Sequence, residues 1–586
     1  MTIADTAPVP VASLQRPTRA SLLRWENAPA ALLLATLCYL VLTPIALLLI
    51  ASLKPTGLPL DAGWGVDNYV KVYGDPSFYR LIGRTLQFAL GCMVGALIVG
   101  GLLAWLVERT DLPWPRAARA MILVPMVLPP FLLAMAWIML ASPRTGLANQ
   151  LARDWFGLSQ APFDIYTLPG MIFVEVLALT PSTYLILAPA FRNMDPALEE
   201  AAMMSGARFA SILTRIFLPM LAPAFLAAAA YLLMVGFLVF DVPGTLGMPV
   251  GIFVLSSRIL YLATDQSGGI SAYGMISAIA GSLLAMLLVL ALVYRRLTRH
   301  SSRYVTVSGK GFRPRQLLLG PWRPFAAGFV GLYFVLSCLA PLAILIWTSL
   351  MPFQAPVSTE MLTKATLANH AAIFANARVG TALWNSLWVS ILSATLVTAL
   401  ALVGSWIVLR TRQPGRSLID VMMFIPIAIP GTMIGMALVY VYLTLTFVPI
   451  YGTAWILVVA YVTVYLSFAS RAMGSVLIQL HRDLEEAARM SGATPFATLR
   501  RILVPLTLPA LLGAWIWVVA HVMRELSTAL LLQGDNNTTL AVLLFGYWSG
   551  GQPNRAAAVG VWLVAIMAIV TIVWQRLAPK GLGDSR

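Results

Sequence analysis

The sequence predicts an all-α polytopic membrane protein of about twelve transmembrane helices in two parallel six-helix repeats. Three observations carry that prediction. Hydrophobic residues make up 59% of the 586 positions and charged residues 11%, against about 45–50% and about 25% in soluble domains. Apolar stretches of membrane-spanning length recur from Ala31 to Trp574. Short motifs of the first half return in the second at fixed offsets.

The N-terminal tail, 1–29, carries Arg16, Arg19 and Arg24. The apolar run from Ala30 outlasts the roughly 7–15 residues of a secretory signal and has no cleavage site, so it reads as a retained first span. Spans are expected at 30–52, 86–107, 121–140, 168–190, 218–240 and 272–293. Six more are expected at 326–350, 383–409, 421–445, 453–470, 506–532 and 556–575. Each is near the ~20 residues that a hydrocarbon core requires. With the N-terminus inside, inside segments hold 28 Lys and Arg, outside loops hold ten, and Arg524 stands at a membrane edge. That bias predicts both termini in the cytoplasm. The net charge of +16 therefore sits in short loops, and it excludes nucleic-acid binding, which needs one basic face. Cys38, Cys92 and Cys338 lie in apolar stretches without metal-ligand spacing and read as small buried hydrophobes.

Asn68-Tyr69 recurs as Asn369-His370, Arg109-Thr110 as Arg410-Thr411, and Pro125 and Pro129 as Pro426 and Pro430, all 301 residues apart. Farther on, Glu200-Ala201-Ala202 recurs as Glu486-Ala487-Ala488, 286 residues apart, which places fifteen extra residues in the first-half loop 141–167. Six spans per half give both copies the same orientation, related by an axis along the membrane normal. The first half is 30–293, the second 326–577, and the last residues, 578–586, form a cytoplasmic tail. The basic linker 294–325 fixes topology, with contact to anionic membrane lipid as a secondary role.

Two cytoplasmic loops are patterned as helices. In the first, Asp195 suits an N-cap and Pro196 the first helical position, followed by Glu199 and Glu200 in the opening turns. In the second, Asp483 has the position of a cap, with Glu486 at capping-box spacing. Gly206 and Gly492 interrupt the helices, marking a turn or a close contact. Pro219 and Pro505 stand where the next spans begin. A short helix, a break and a second helix entering the membrane are expected, the first with a smooth alanine face that fits a groove on another protein.

Glu200-Ala201-Ala202, Gly206, Ile216 and Leu218-Pro219 resemble the EAA-loop signature of binding-protein-dependent ABC transporter permeases. Glu486-Ala487-Ala488, Gly492, Ile502 and Val504-Pro505 repeat it, with valine in place of leucine. The resemblance covers two permease cores, about 70–293 and 370–577, with spans one and seven as added leading helices. It implies a type I ABC importer permease fold as a fused pseudo-dimer in the bacterial inner membrane, needing no second permease chain. Each loop would be a coupling helix docking into a cleft of an ATP-binding subunit, two copies of which serve one permease. No phosphate-binding GxxxxGK[ST] loop occurs in the chain. ATP and magnesium are therefore expected on that partner, and the chain is read as a transport protein rather than an enzyme. A periplasmic solute-binding protein delivers the solute. Gly244-Thr245-Leu246-Gly247 and Leu540-Ala541-Val542, expected just outside the membrane, resemble the ferric-iron importers in particular. Importers of 2-aminoethylphosphonate, thiamine or polyamines are the alternatives, and a twelve-helix secondary transporter is the rival class.

Ionisable groups inside apolar runs cost about 2.5–3.5 kcal/mol or more and mark functional candidates. Glu175 lies inside span four, Asp241 ends span five, and His521, Arg524 and Glu525 cluster near the end of span eleven, with His521 and Glu525 four apart on one face. Two readings stand: these side chains line the route, or they pair between helices. They form no metal site, since no second His or Cys stands at ligand spacing. Pro125, Pro129, Pro426 and Pro430 interrupt spans three and nine, either as a gate-like bend or as a packing kink.

Overall fold

A computed structural model describes residues 28–192, 204–206, 215, 218–264, 273–298, 317–354, 357–445 and 447–577. Among them no strand occurs, and the backbone is helical apart from one isolated bridge, Thr110 with Leu317, and the connecting loops. The first half runs α1 (Ala28–Ser52), α2 (Asp67–Gly74), α3 (Pro76–Arg109), α4 (Pro115–Leu123), α5 (Pro130–Ala141), α6 (Leu147–Phe156) and α7 (Leu168–Arg192). It continues through α8 (Leu218–Leu238), α9 (Leu255–Thr264) and α10 (Tyr273–Thr298). The second half comprises α11 (Gly320–Leu350), α12 (Ala368–Ala375), α13 (Ala377–Arg410), α14 (Arg416–Phe424), α15 (Gly431–Thr444) and α16 (Ala454–Gln479). It ends with α17 (Asp483–Met490), α18 (Val504–Met523), α19 (Ser527–Leu532), α20 (Leu540–Ser549) and α21 (Pro553–Leu577).

The duplication holds at atomic detail. Helices α3 and α13 each have 34 residues, and each is capped at its start by a side chain, Asp75 accepting from Ser77 N and Asn376 from Arg378 N. Asn68 donates to the carbonyls of Ser52 and Lys54, as Asn369 does to those of Ser349 and Met351. Tyr69 meets Ser52, and His370 meets Ser349. The connection after α5 carries α6, whereas the equivalent stretch 445–453 carries no helix, in agreement with the expected site of the extra residues.

Among the described residues ten helices are long and apolar enough to cross a membrane, and spans three and nine are bent pairs, α4–α5 at 95° and α14–α15 at 114°. The cause is local. Leu128 and Ile429, the residues before Pro129 and Pro430, are extended, both with ψ of 118°, because proline disfavours helical backbone in its predecessor. A short 3-10 turn, Val124–Val127 or Ile425–Ala428, precedes each extended residue.

Spans five and eleven depart from expectation. Span eleven ends at Met523 rather than at residue 532, and span five at Leu238, before Asp241. Beyond each end the chain turns back inside the protein. Leu255 N donates to Thr85 Oγ1 and Leu540 N to Ser386 Oγ, and both acceptors lie nine residues into their long helices, roughly 14 Å along the axis. Leu255 and Leu540 are thereby held inside the protein, and residues 243–247 and 540–542 are buried.

Each leading helix packs on the other half: α1 against α14 and α15, and α11 against α4 and α5. Cross-half hydrogen bonds accompany this exchange. Tyr39 and Tyr442 hydroxyls meet at 2.7 Å, Thr463 Oγ1 donates to Leu40 O, and Tyr333 OH donates to Leu177 O. Such bonds average about 0.6 kcal/mol between membrane helices. Within the first half, α3 meets α7 through Gly91 and Gly95, where a Cβ would stand 2.6 Å from Ile172 Cδ1 and 2.5 Å from Val176 Cγ2. Small residues allow the backbones this close approach, on which packing in lipid depends.

Candidate functional site

The second patterned loop is described in full. Helix α17 begins with Asp483, and its N-cap is Arg482, already helical at φ −69° and ψ −25°, with no side-chain cap bond. The expected cap at Asp483 is thus corrected by one position: a residue inside the first turn has helical backbone and adds charge rather than a cap. Asp483, Glu485 and Glu486 all occupy that turn, where negative charge suits the helix dipole. At the other end, Gly492 N donates to Arg489 O and Ala493 N to Ala488 O. That pattern is a Schellman motif with Gly492 as its left-handed residue, at φ +80°. Thr494 then caps the turn Pro495–Thr498 by accepting from Ala497 N, and a π turn, Leu499–Leu503, leads into α18. Ile502 lies in that turn, half-buried, and Pro505 is the second residue of α18.

In the first loop Asp195, Pro196, Glu199, Glu200, Ala201, Ala202 and Ile216 lie outside the described residues. Gly206 is described, with φ +75°, and Pro219 is the second residue of α8. A Cβ on Gly206 or Gly492 would meet no atom within 4 Å. Both glycines therefore answer to positive φ, not to a close neighbour among the described residues.

Of the eight residues of α17 only Glu485 and Ala488 are buried, while Glu486 and Ala487 are exposed. Met490 is 88% exposed and Met204, its counterpart at the 286 offset, 90% exposed. Phe496 adds a third apolar side chain at 70%. Sequence reasoning misses the two methionines, although their repetition before Ser205-Gly206 and Ser491-Gly492 is an available signal. It marks Arg410 only as a repeat and Glu485 not at all; their side chains form an ion pair, Nε to Oε1 at 3.4 Å.

Inside the bundle, the helix break after Met523 rearranges the charged cluster. His521 and Glu525 do not share a helix face. His521 Nε2 accepts from Arg524 at 2.8 Å, and its Nδ1 donates to Trp517 O at 2.8 Å, an assignment fixed because a carbonyl only accepts and a guanidinium only donates. Arg524 also donates to Met126 O at 2.7 Å, tying span eleven to the bend of span three in the other half. Glu525 caps α19, its Oε1 accepting from Ser527 Oγ, Thr528 N and Thr528 Oγ1. Asp241 occupies the equivalent turn of the first half, within electrostatic reach of Arg524 and Glu525. Asp241, His521, Arg524 and Glu525 are each partly accessible. Glu175 is buried in α7, and its Oε2 finds no hydrogen-bond partner among the described residues. Also among the described residues, no group of three or more His, Cys, Asp or Glu side chains is placed to hold a metal ion.

Two matching halves, each with a left-handed glycine at the same place, Gly206 and Gly492, have a counterpart among known proteins. The family described as Binding-protein-dependent transport system inner membrane component matches residues 96–303 and again 398–581. The chain belongs to this family. It is an ABC transporter permease and a multi-pass membrane protein, carrying the family's unit twice. The permease is 24% identical to the ferric transport system permease protein FbpB of Actinobacillus pleuropneumoniae, over 89% of this chain and 74% of that one. It is 23% identical to the Fe(3+)-transport system permease protein FbpB 2 of Haemophilus influenzae, over 88% and 93% respectively. A Salmonella typhimurium chain named as a 2-aminoethylphosphonate transport system permease protein is 28% identical, over 46% of this permease and 99% of its own length.

Proposed function

We propose that this permease imports ferric iron delivered by a periplasmic solute-binding protein, driven by ATP hydrolysis on separate ATPase subunits that dock on the two loops. The carrying observation is repeated in both halves: an exposed methionine, Met204 or Met490, stands two residues before a left-handed glycine, Gly206 or Gly492. An exposed apolar side chain at the same position of both halves fits a site covered by a partner. Two loops accommodate two ATPase copies, which carry ATP and magnesium, and the permease itself performs no covalent chemistry. The excess of Lys and Arg on the loop side supports a cytoplasmic location for the loops and both termini. Residues 30–293 and 326–577 act as the two halves of one pathway, so no second permease chain is needed.

Iron is favoured over 2-aminoethylphosphonate because the ferric relatives match across both halves, whereas the phosphonate relative matches one. Proteoliposomes containing the permease, its ATPase and the binding protein should accumulate radiolabelled ferric ion on addition of ATP. Accumulation of labelled 2-aminoethylphosphonate, with none of iron, would reassign the substrate.

Orientation has its own test. Thr145 lies exposed between α5 and α6, and Ser308 belongs to the basic linker. With single cysteines in a cysteine-free background, an impermeant thiol reagent on intact cells should label position 145 and leave 308 untouched. Labelling of 308 in sealed cells would invert the topology.

A further inference from the structure

The geometry points to Glu485 and Arg410 as a strut that passes movement of the second loop into the bundle, with Glu485 as a positioning residue for the coupling helix. The inference rests on the proposed docking role of the loop and names the contact through which that loop acts. Helix α17 is attached to the body by little besides its chain ends: Glu485 and Ala488 are its only buried residues. Glu485 meets Arg410 at 3.4 Å with side-chain exposures of 7% and 4%. Arg410 is the last residue of α13, and its Nη2 also donates to Leu477 O and, at 2.6 Å, to Leu480 O, where α16 ends. One guanidinium thus joins α13, α16 and α17.

Helix α13 then reaches the interior without interruption. Near its far end, Asn385 donates to the carbonyls of Asn536 and Thr538, and Ser386 accepts from Leu540 N. These residues belong to the segment beyond Glu525 and α19. From Arg410 to Asn385 is roughly 38 Å of continuous helix. A displacement of α17 therefore bears on the buried segment 536–540, which follows α19, through two side-chain attachments and one helix.

The halves differ at the loop end of this path. In the first half Glu108, beside Arg109, accepts from Tyr184 OH, from Arg119 and from Arg192, which ends α7. Its counterpart at the 301 offset is Leu409. The second half has no such hub at that position, which makes it the place to test a single pair.

Two substitutions at 485 separate charge from shape. Glu485→Gln keeps the shape and removes the charge, whereas Glu485→Asp keeps the charge on a shorter stem. Solute taken up per ATP hydrolysed is measured in proteoliposomes holding the permease, its ATPase and the loaded binding protein, beside the amount of ATPase retained. Glu485→Gln should lower that ratio about tenfold with ATPase retained, within the range by which residues along a coupling route act. Glu485→Asp should keep more than half of it. A packing role reverses the order, so a ratio for Glu485→Gln equal to or above that of Glu485→Asp overturns the strut. Arg410→Gln against Arg410→Lys should give the same order and supplies the answer if Glu485→Gln does not accumulate. Gly492→Asp is measured alongside. If it blocks uptake while Glu485→Gln keeps the wild-type ratio, the strut fails and the docking role of the loop stands; if it too transports normally, the docking role fails.

Discussion

Gly206→Asp and Gly492→Asp should each reduce uptake by roughly 100-fold, a loss of about 2.7 kcal/mol in effective docking, while the permease stays folded and in the membrane. Both glycines have positive φ, +75° and +80°, and a side chain there costs about 1–2 kcal/mol, with Asp among the residues that tolerate it best. Neither position has a neighbour that a Cβ would strike, so the cost within the chain is small. The larger penalty falls on the partner's surface, where a carboxylate must be desolvated without a counter-charge. Glu486→Ala should be milder, because Glu486 is exposed and contributes one rim or first-turn charge, worth about 0.3–1 kcal/mol. Uptake, permease abundance in the membrane and co-purified ATPase are the three readings. Wild-type uptake from both aspartate variants would remove the loops from the mechanism.

Arg524→Gln is expected to cut uptake about tenfold or more while the ATPase remains bound. The guanidinium ties His521 to Met126 O across the two halves. Without it a carbonyl and an imidazole nitrogen at membrane depth lose their donor, each costing about 1–3 kcal/mol. The bend of span three is then free to move away from span eleven, and two carboxylates, Asp241 and Glu525, lose the nearby cation. Arg524→Lys should recover part of the activity, since an ammonium keeps the charge but not the planar fork that serves two acceptors. Uptake rates of the two variants at equal ATPase content decide the point, and equal, wild-type rates from both would show that Arg524 has no part in the route.

The spans, the duplication and the loops are legible in the sequence because each depends on local or periodic features: apolar length, repeated motifs, and proline and glycine placement. The bends at Leu128 and Ile429 arise from the proline after each, and the proline pairs mark them as interruptions. Features set by contacts between distant segments are not legible. Span eleven reads as continuous to residue 532, since Leu526 and 529–532 are apolar. The break comes instead from Glu525 folding back to cap α19, which no hydropathy pattern encodes. The burial of Leu255 and of 540–542 is hidden for the same reason, because Thr85 and Ser386 hold those segments inside. Exposed Met204 and Met490 gain meaning only in the structure, as an apolar residue in a loop is ordinary until nothing in the described chain is seen to cover it. The bridging of the halves by the leading helices, with α1 reaching the second half and α11 the first, has no signature in sequence spacing at all.

The proposed function assigns the whole pathway to one chain and the power to separate subunits. ATP-dependent uptake into proteoliposomes is the direct measurement of that division, with this permease as the only membrane-spanning chain. Addition of the ATPase and the loaded binding protein should produce uptake that stops when ATP is withheld, and the permease without the ATPase should neither transport nor hydrolyse ATP. Uptake driven by an ion gradient in the absence of the ATPase would contradict the division and leave a secondary transporter in its place.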